Sequence, residues 1–518
     1  MNRLNTEIWT LLCLLLLTSF YPVKAAIINA NSTSFIDVSN AISKASYGDT
    51  VQIPAGTSTW SNGVYVTGIT LSGAGIDNTV ILDNMPNLSV ARMISIITVA
   101  NSLSRVTGIT LRGGLNPNEN FKGKLECSAT LAAKTSFRVD HCSFENLNGD
   151  NIFVDGANFS AVIDHDIFIL GLVNAGGVTT GTGITQWGDS ATDGYGDASW
   201  ASPPTYGTAN TLYIEDNFFT NTVPNSSSCA AYDAYTGARS VFRYNTVYNT
   251  FWADHGNDTS QRYRGTRQFE IYNNTFTDNQ SFVTAMDFRS GTGVVFSNTV
   301  NGYNLFDTIE NYRNVQGNYF GGVTGFNSWD SNSPISYFSG THTGPNDSPF
   351  LQVSGSPWTV NQWAGYTVND TNTGRFCLIQ GNTTNQLIMT APKDLGPMNF
   401  NNGDGFVIYY CYPALDQVGR GSGDLLVDVG NWPNVSTINA ATGTSSWPRQ
   451  ILEPLYSWGN TLNGSVAGIT SGYANIQEGR DIYQNAIKPG YTPLIHPHPL
   501  VSGSSTINLL PPSGLQAH

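Results

Sequence analysis

The sequence is poor in positive charge. Its 518 residues hold 23 Lys and Arg against 37 Asp and Glu, so the formal net charge is −14. Nucleic acids need basic surface to neutralise their phosphates, and this balance argues against them as partners. An anionic polysaccharide stays compatible if a local group of cations or a bridging metal ion meets its carboxylates. Most of the basic residues are Arg, whose planar guanidinium pairs well with a carboxylate.

Long apolar runs are absent after the first 25 residues. Arg3 gives a positive start, residues 9–17 are mostly apolar, and Val23-Lys24-Ala25 has the small-residue pattern of a cleavage site, which together indicate a secretory signal peptide. The apolar run is too short to cross a bilayer, and no later segment replaces it. We therefore expect a soluble, secreted protein without membrane contact after cleavage. The alternative is an uncleaved anchor.

Cysteine is scarce as well. Five of the 6 Cys lie beyond the signal segment, too few for a disulfide scaffold in a chain of this size. No C-x-x-C pair with metal-ligand spacing occurs. Cys377 and Cys411 are close enough in sequence to form one disulfide within a single segment, which stays open at this point.

Long stretches of helical periodicity are also absent, and a short phrase recurs in their place. It consists of an apolar residue, two mostly polar ones, a small polar residue, any residue, and an apolar one. We call the small polar position the anchor. Successive anchors are mostly about 20–30 residues apart, as in a solenoid. They are Cys142, Asp166, Asn217, Asn245, Asn274, Asn298 and Asn318. A second phrase, V-T-G-I-T-L, occurs at residues 66–71 and 106–111. Repeats this short must stack to bury their apolar faces.

The residue types select the kind of solenoid. The apolar positions are Val, Ile and Phe, which favour strands. Asn tolerates the left-handed backbone of a tight bend, and stacked Asn side chains can bond from one coil to the next. The sequence therefore predicts an all-β fold, a right-handed parallel β-helix, with a helical segment at residues 35–45 that caps its open end.

The period changes along the chain. After the signal segment (1–25), coils are expected over residues 26–340. Residues 341–414 lose the phrase and read as an inserted β-rich module. The phrase returns imperfectly at Trp458-Gly459-Asn460, so residues 415–500 are predicted to rejoin the solenoid and end in a tail along its outside. Residues 501–518 are rich in Ser, Gly and Pro and resemble a linker.

The run from Val139 to Phe144, followed by Gly149-Asp150 and Asp155, resembles the pectate lyase-like superfamily of right-handed β-helices. The resemblance covers roughly residues 27–330 and 425–465. It implies that the strand following each anchor phrase belongs to the sheet that forms a saccharide groove, near residues 151–155, 184–189, 230–234, 252–256 and 285–289. The sequence departs from the pattern too, because it has no R-x-P-x-x-R run and no paired Asp motif of the polygalacturonase type.

Several side chains on these strands suit β-elimination from a uronate. That reaction needs a cation to neutralise the substrate carboxylate and a base to remove the adjacent proton. The predicted catalytic residues are His255, Arg262, Arg264, Arg289 and Asp233, and the predicted substrate-binding residues are Trp187, Tyr232, Asp254, Tyr263 and Asp287. The alternative interpretation makes His255 a buried structural residue and pairs the arginines with Asp254, Asp258 and Glu270.

A calcium ion is a further expectation. Asp189, Asp193 and Asp197 with neighbouring glycines offer oxygen ligands for Ca²⁺, although a solvated acidic loop would look the same. Three functions stay open: a lyase on a uronate-containing polysaccharide, a glycoside hydrolase using two of Asp189, Asp233, Asp254 and Asp287, and a non-catalytic glycan-binding solenoid. The partner expected is a polysaccharide, and the chain is expected to be a monomer.

Overall fold

The computed structural model describes residues 25–86, 91–113, 123–128, 135–157, 159–171, 173–174, 177–178, 181–188, 196, 199–200, 202–222, 230–256, 265–280, 282–309, 336–364, 366–390, 398–409, 418–423, 426–427, 438–439, 450–470, 476 and 478–502. Strands dominate these residues, and the helix Phe35–Ile42 precedes most of them. None of the helices described is long and apolar enough to cross a membrane.

Three sheets wind around one axis, and most turns of the chain add one strand to each. The first sheet has 9 parallel strands: Val64–Thr67, Ile94–Ile97, Leu125–Ser128, Ile152–Asp155, Ile184–Trp187, Tyr232–Tyr235, Trp252–Ala253, Thr284–Phe288 and Leu305–Ile309. The second has 12: Ile27–Asn29, Thr50–Gln52, Thr70–Ser72, Leu103–Thr107, Ser136–Asp140, Ser160–Asp164, Leu212–Glu215, Arg239–Arg243, Gln268–Tyr272, Thr292–Phe296, Leu455–Trp458 and Ile482–Gln484. The third has 11: Gly56–Trp60, Thr79–Asp83, Thr110–Arg112, Ser143–Glu145, Ile167–Leu170, Phe218–Asn221, Thr246–Tyr248, Thr275–Thr277, Thr299–Asn301, Asn460–Leu462 and Ser465–Ala467.

This architecture is a right-handed parallel β-helix, as predicted. Inward Val, Ile and Phe side chains of all three sheets form one continuous core. Equivalent residues of successive coils lie directly over one another, so their rings stack. The ring centroids of Phe144 and Phe168 are 5.0 Å apart, and those of Phe168 and Phe219 are 4.5 Å apart. The coil spacing thus repeats the neighbour contacts that stabilise each rung.

The helix closes the N-terminal end of the core. Ser34 caps it by accepting a hydrogen bond from the Asp37 backbone N–H, and Val38 and Ala41 are buried against the first coil. The prediction of a helical cap over residues 35–45 is confirmed. Burying the open end in this way withholds both apolar surface and unpaired strand edges from other chains.

The anchor residues form a continuous hydrogen-bonded ladder inside the corner between the second and third sheets. The Asn217 amide donates to Asn245 Oδ1 at 3.1 Å, and the pattern continues from Asn245 to Asn274 at 3.1 Å and from Asn274 to Asn298 at 3.0 Å. Each amide also donates to a backbone carbonyl of the preceding coil, as Asn245 does to Ile214 at 2.9 Å. The predicted coil-to-coil bonding of Asn side chains is confirmed.

The left-handed residue of this corner is not the anchor itself. Positive φ values fall on the residue before it, with 53° at His141, 58° at Asp216 and 56° at Tyr244. The anchor instead uses its side chain for the ladder, so the predicted reason for Asn at this position is wrong in part. The phrase also continues directly into a third-sheet strand, so this strand intervenes between each anchor and the groove strand that follows.

The chain leaves the solenoid after Leu305–Ile309 and returns at Leu455–Trp458. Between them lies a six-stranded antiparallel sheet with a separate core that includes Trp358, Trp363 and Phe406. Its strands are Ser336–Thr341, Leu351–Gln352, Thr367–Asp370, Phe376–Asn382, Gln386–Thr390 and Gly405–Tyr409. The inserted β-rich module is confirmed, and its sheet starts upstream of residue 341. Two-stranded ribbons are formed by Val173–Asn174 with Gly177–Val178, Arg420–Gly423 with Gln450–Leu452, and Leu426–Val427 with Ile438–Asn439.

The return is in register with the ladder. Asn298 donates to Asn460 Oδ1 at 3.0 Å although 162 residues separate them in sequence. The prediction that Asn460 rejoins the solenoid is therefore confirmed. The phrase at residues 315–320, around Asn318, lies outside the described residues. Cys411 lies outside them too, so the disulfide between Cys411 and the buried Cys377 stays a prediction.

The last described segment runs along the outer face of the second sheet, as predicted for the tail. Leu494 and Leu500 pack on an outward apolar strip that includes Val162, Tyr213 and Val241. Arg243 forms a fully buried pair with Glu215 at 2.5 Å and donates to the Leu494 carbonyl oxygen at 2.7 Å. Arg243 thus fastens the tail to the solenoid.

Candidate functional site

The predicted groove strands belong to one sheet. Ile152–Asp155, Ile184–Trp187, Tyr232–Tyr235, Trp252–Ala253 and Thr284–Phe288 are consecutive neighbours in the first sheet. Their alternate residues point outward, and the register places Thr185 beside Asp233 and Trp187 beside Tyr235. The outer face of the first sheet therefore collects side chains from distant parts of the sequence into parallel rows.

Four of these side chains form a connected polar network. His255 Nε2 lies 3.1 Å from Asp233 Oδ2, and Arg289 Nη1 lies 3.1 Å from His255 Nδ1. The other guanidinium nitrogen, Nη2, donates to Asp287 Oδ2 at 3.1 Å. Guanidinium nitrogens only donate, so Nδ1 is the acceptor and the imidazole proton sits on Nε2, facing the Asp233 carboxylate. The order is carboxylate, imidazole, guanidinium, carboxylate.

The network is accessible but shielded. The side chains of His255, Asp233, Arg289 and Asp287 keep between 12% and 20% of their full exposure. Partial burial strengthens the interactions among these charges relative to bulk water. The four side chains are therefore neither fully solvated nor fully buried, which distinguishes them from the buried ion pairs elsewhere in the solenoid.

Tyr232 and Asp254, both predicted to contact substrate, point into the core instead. Tyr232 is fully buried and donates to Gln186 Oε1 at 2.7 Å. Asp254 is fully buried as well, and burial raises the pKa of its carboxyl group well above the usual value. Its Oδ1 accepts a hydrogen bond from the Arg289 backbone N–H at 2.6 Å. Their predicted direct contact with substrate is therefore corrected: Asp254 positions the Arg289 backbone from inside.

Aromatic rings line the approach to the network from the N-terminal side. The ring of Tyr235 stacks on His255 with centroids 3.9 Å apart, and Trp187 follows at 5.9 Å from Tyr235. Phe153 contacts Trp187 edge-on at 5.7 Å, but it is buried and lies in register with Thr185. The row of aromatic rings therefore consists of Trp187, Tyr235 and His255. Sequence analysis proposed Trp187 but missed Tyr235. The signal was present, because Tyr235 is two residues after Asp233 in one strand and must share its face.

A further carboxyl group lies near the network. Asp150 lies in the turn before Ile152–Asp155, and its side chain bonds to Thr182 and Thr185. Burial raises the pKa of this carboxyl well above its usual range, and the negative charge of Asp233 raises it further. Asp150 thus belongs to the electrostatic surroundings of the network.

The remaining predicted site residues cannot be placed. Arg262, Tyr263, Arg264, Asp189, Asp193 and Asp197 lie outside the described residues, so their catalytic, binding and Ca²⁺ roles stay predictions. Among the residues described, one group has three potential metal ligands close together: Glu215, Asp216 and His496. It lies on the tail side of the second sheet, and Glu215 is already paired with Arg243.

No protein-family model matches the chain, and no curated protein matches it. The A-module of a mannuronan C-5 epimerase from Azotobacter vinelandii aligns with 14% identity over 54% of this chain and 91% of its own, at a TM-score of 0.22. An alginate lyase from Paenibacillus sp. aligns with 13% identity over 53% and 94%, also at 0.22. A family 28 exopolygalacturonase from Yersinia enterocolitica aligns with 11% identity over 55% and 75%, at 0.24. Values this low carry no argument about activity.

Proposed function

We propose that the protein is a secreted polysaccharide lyase that cleaves a uronate-containing glycan by β-elimination on the outer face of the first sheet. The observation that carries this proposal is the chain of contacts from Asp233 through His255 to Arg289 and Asp287. It places a base and a carboxylate-binding cation side by side. Those are the two groups that the elimination requires.

The contacts support a distinct role for each residue. Asp233 holds the Nε2 proton of His255, so the free lone pair is on Nδ1 and faces Arg289. A substrate carboxylate that binds Arg289 would draw the guanidinium away from Nδ1. The lone pair would then face the carbon next to that carboxylate.

The elimination itself balances within the site. His255 takes the proton from the carbon adjacent to the carboxylate, and the released electron pair forms the new carbon–carbon double bond. The bond to the glycosidic oxygen at the β position breaks, and the His255 imidazolium returns its Nδ1 proton to that oxygen, which regenerates the neutral imidazole. Arg289 stabilises the negative charge that accumulates on the carboxylate oxygens in the transition state. Asp233 stabilises the imidazolium once it forms.

A glycoside hydrolase is the second candidate, now limited to Asp233 and Asp287 among the described carboxylates. Asp254 is buried inside the coil and cannot serve. Asp233 contacts His255, and Asp287 contacts Arg289, so both are occupied by cationic or polar partners. A hydrolase needs two carboxyl groups that face the scissile bond, whereas both of these carboxylates accept hydrogen bonds within the network.

The test compares His255→Gln with His141→Gln. His141 is an exposed histidine on the opposite side of the coil, so its substitution controls for the loss of an imidazole. Incubation with uronate-containing polysaccharides should give products with ultraviolet absorbance from the unsaturated uronate, for wild type and His141→Gln only. Reducing ends without that absorbance would indicate a hydrolase. Glycan binding without any turnover in wild type would indicate a binding protein.

The proposal includes secretion, a monomeric state and no nucleic-acid or membrane partner. It also retains Ca²⁺ at Asp189, Asp193 and Asp197 as a candidate cofactor. Adding a chelator should lower the turnover of the unmodified enzyme, and adding Ca²⁺ should restore it. Turnover that is insensitive to the chelator would remove the metal from the proposal.

A further inference from the structure

The outer face of the first sheet is electrostatically asymmetric about His255. On its C-terminal side lies Arg289. On its N-terminal side, the basic residues described beside the sheet are Arg92 and Lys124, which are 7% and 3% exposed. Arg92 pairs with Glu126 at 2.7 Å, and Lys124 pairs with Asp83 at 2.8 Å. Among the residues described on this half, both cations are thus buried in ion pairs, and the carboxyl group of Asp155 is partly exposed.

The N-terminal half offers aromatic surface in place of cations. Trp187 and Tyr235 come from consecutive strands, His255 follows the next strand, and each ring contacts the next. Two coils separate Trp187 from His255, which corresponds to about 10 Å along the axis, or roughly two sugar rings. Trp187 and Tyr235 are partly exposed. Their rings offer a sugar apolar contact and, at Tyr235, a hydroxyl group, but they carry no charge that compensates a carboxylate.

We infer that the substrate is a heteropolysaccharide in which uronates are separated by uncharged sugars. This inference rests on the proposed function and specifies its substrate class. One uronate binds Arg289 next to His255, and uncharged sugars follow over Tyr235 and Trp187. A homopolymer of uronate would place further carboxylates against the aromatic row and near Asp155, where like charges repel.

The experiment measures kcat/KM of wild type on two polysaccharides of matched length, a homopolymer of uronate and a polymer that alternates uronate with uncharged sugar. The formation of unsaturated ends is the readout. We expect a preference for the alternating polymer of at least about tenfold, and we expect it to decrease as salt screens the repulsion. Equal or faster cleavage of the homopolymer would overturn the inference while leaving the lyase proposal intact.

Two substitutions of Trp187 sharpen the test. Trp187→Lys replaces the ring by a cation and should reverse or abolish the preference, chiefly through KM, whereas Trp187→Phe should preserve it. A preference that persists unchanged in Trp187→Lys would contradict the role of the aromatic row. Circular dichroism and denaturation of both variants establish that they fold.

A binding experiment distinguishes the inference about the substrate from the proposal that the protein is a lyase. Calorimetric titration of His255→Gln with oligosaccharides of both kinds measures recognition without turnover. Tighter binding of the alternating oligosaccharide supports the inference even if no unsaturated product forms with wild type, an outcome that would refute only the lyase. Equal binding of both oligosaccharides, or binding of neither, would refute the inference.

Discussion

Replacing Asp166 by Asn should stabilise the protein. Asp166 occupies an anchor position in the ladder that is otherwise Asn from 217 onward. Its Oδ1 accepts a hydrogen bond from the Cys142 backbone N–H at 2.6 Å, whereas its Oδ2 is buried without a hydrogen-bond partner. Burial raises the pKa of this carboxyl group well above its usual value. An amide would keep the first contact and supply a donor where the carboxylate has none.

The magnitude follows from the rungs above. Asn217 donates to the Ile163 carbonyl oxygen of the preceding coil at 2.9 Å, so Asn at 166 is positioned to donate to Val139 in the same way. One additional buried hydrogen bond contributes about 1 kcal/mol, and removal of an unsatisfied buried polar atom contributes ~1–3 kcal/mol. The free energy of unfolding should therefore increase by about 2–4 kcal/mol at neutral pH.

The sign of the pH dependence gives a second observable. Because the folded-state pKa of Asp166 lies above that of the unfolded chain, the folded state binds more protons between the two values. Wild type therefore loses stability as pH rises above the unfolded pKa and through the raised one. Asp166→Asn lacks this loss, so its advantage should be small in acid and grow toward neutral pH.

Chemical denaturation of wild type and Asp166→Asn over a pH series measures both effects. Asn245→Asp is the reciprocal variant, because Asn245 makes the full set of ladder bonds. Its free energy of unfolding should be lower than that of wild type, and the deficit should grow as pH rises toward neutral. Equal stability of wild type and Asp166→Asn at every pH would refute the reasoning that the ladder needs amide donors.

Three further predictions concern buried charges. Burial raises the pKa of Glu270 to about 7. The free energy of unfolding of wild type should therefore decrease as pH rises from the unfolded-state pKa of Glu270 toward 7, and Glu270→Gln should remove that decrease. Asp307, whose pKa burial raises to about 8, should behave likewise over a window extending to about pH 8, with Asp307→Asn as its variant. Arg243→Ala should lower the free energy of unfolding by about 3–5 kcal/mol because it leaves Glu215 buried and unpaired. Limited proteolysis should then cleave the tail near Leu494 sooner than in wild type. Unchanged cleavage would contradict the role of Arg243 in holding the tail.

The Asn ladder was predictable because the same hydrogen-bonding requirement recurs at the same corner of each coil. A corner that repeats every coil needs a buried group that both donates and accepts along the axis, and Asn is the residue that does so without charge. The same logic located the return at Asn460 across the insertion, where the bonded partner Asn298 is far away in sequence. The left-handed residue was misplaced by one position, because backbone strain at 141, 216 and 244 is tolerated by His, Asp and Tyr when the neighbouring anchor fixes the corner.

The V-T-G-I-T-L phrase shows where repeat arguments fail. Its first copy lies where the first sheet passes into the second, and its second copy lies where the second passes into the third. Both contain a glycine with positive φ, 63° at Gly68 and 69° at Gly108. The phrase therefore specifies a tight corner with a strand on each side, and it carries no information about which corner of the coil it forms.

The site illustrates a constraint that the sequence contains in full. Consecutive residues of a strand point to opposite faces, so Tyr232 and Asp233 cannot both face a ligand, and the same holds in practice for Asp254 and His255, which extend the strand Trp252–Ala253. Once one residue of a strand is known to point inward, the direction of every other residue in that strand follows. Tyr232 and Trp252 stack inside the coil with ring centroids 5.9 Å apart, so Asp233 must point outward. What alternation cannot supply is how far the register continues beyond Ala253 and Phe288, and the contact of Arg289 with His255 depends on that continuation. That continuation is set by the Asp254 carboxylate holding the Arg289 backbone from within the core, a long-range contact between residues 35 positions apart.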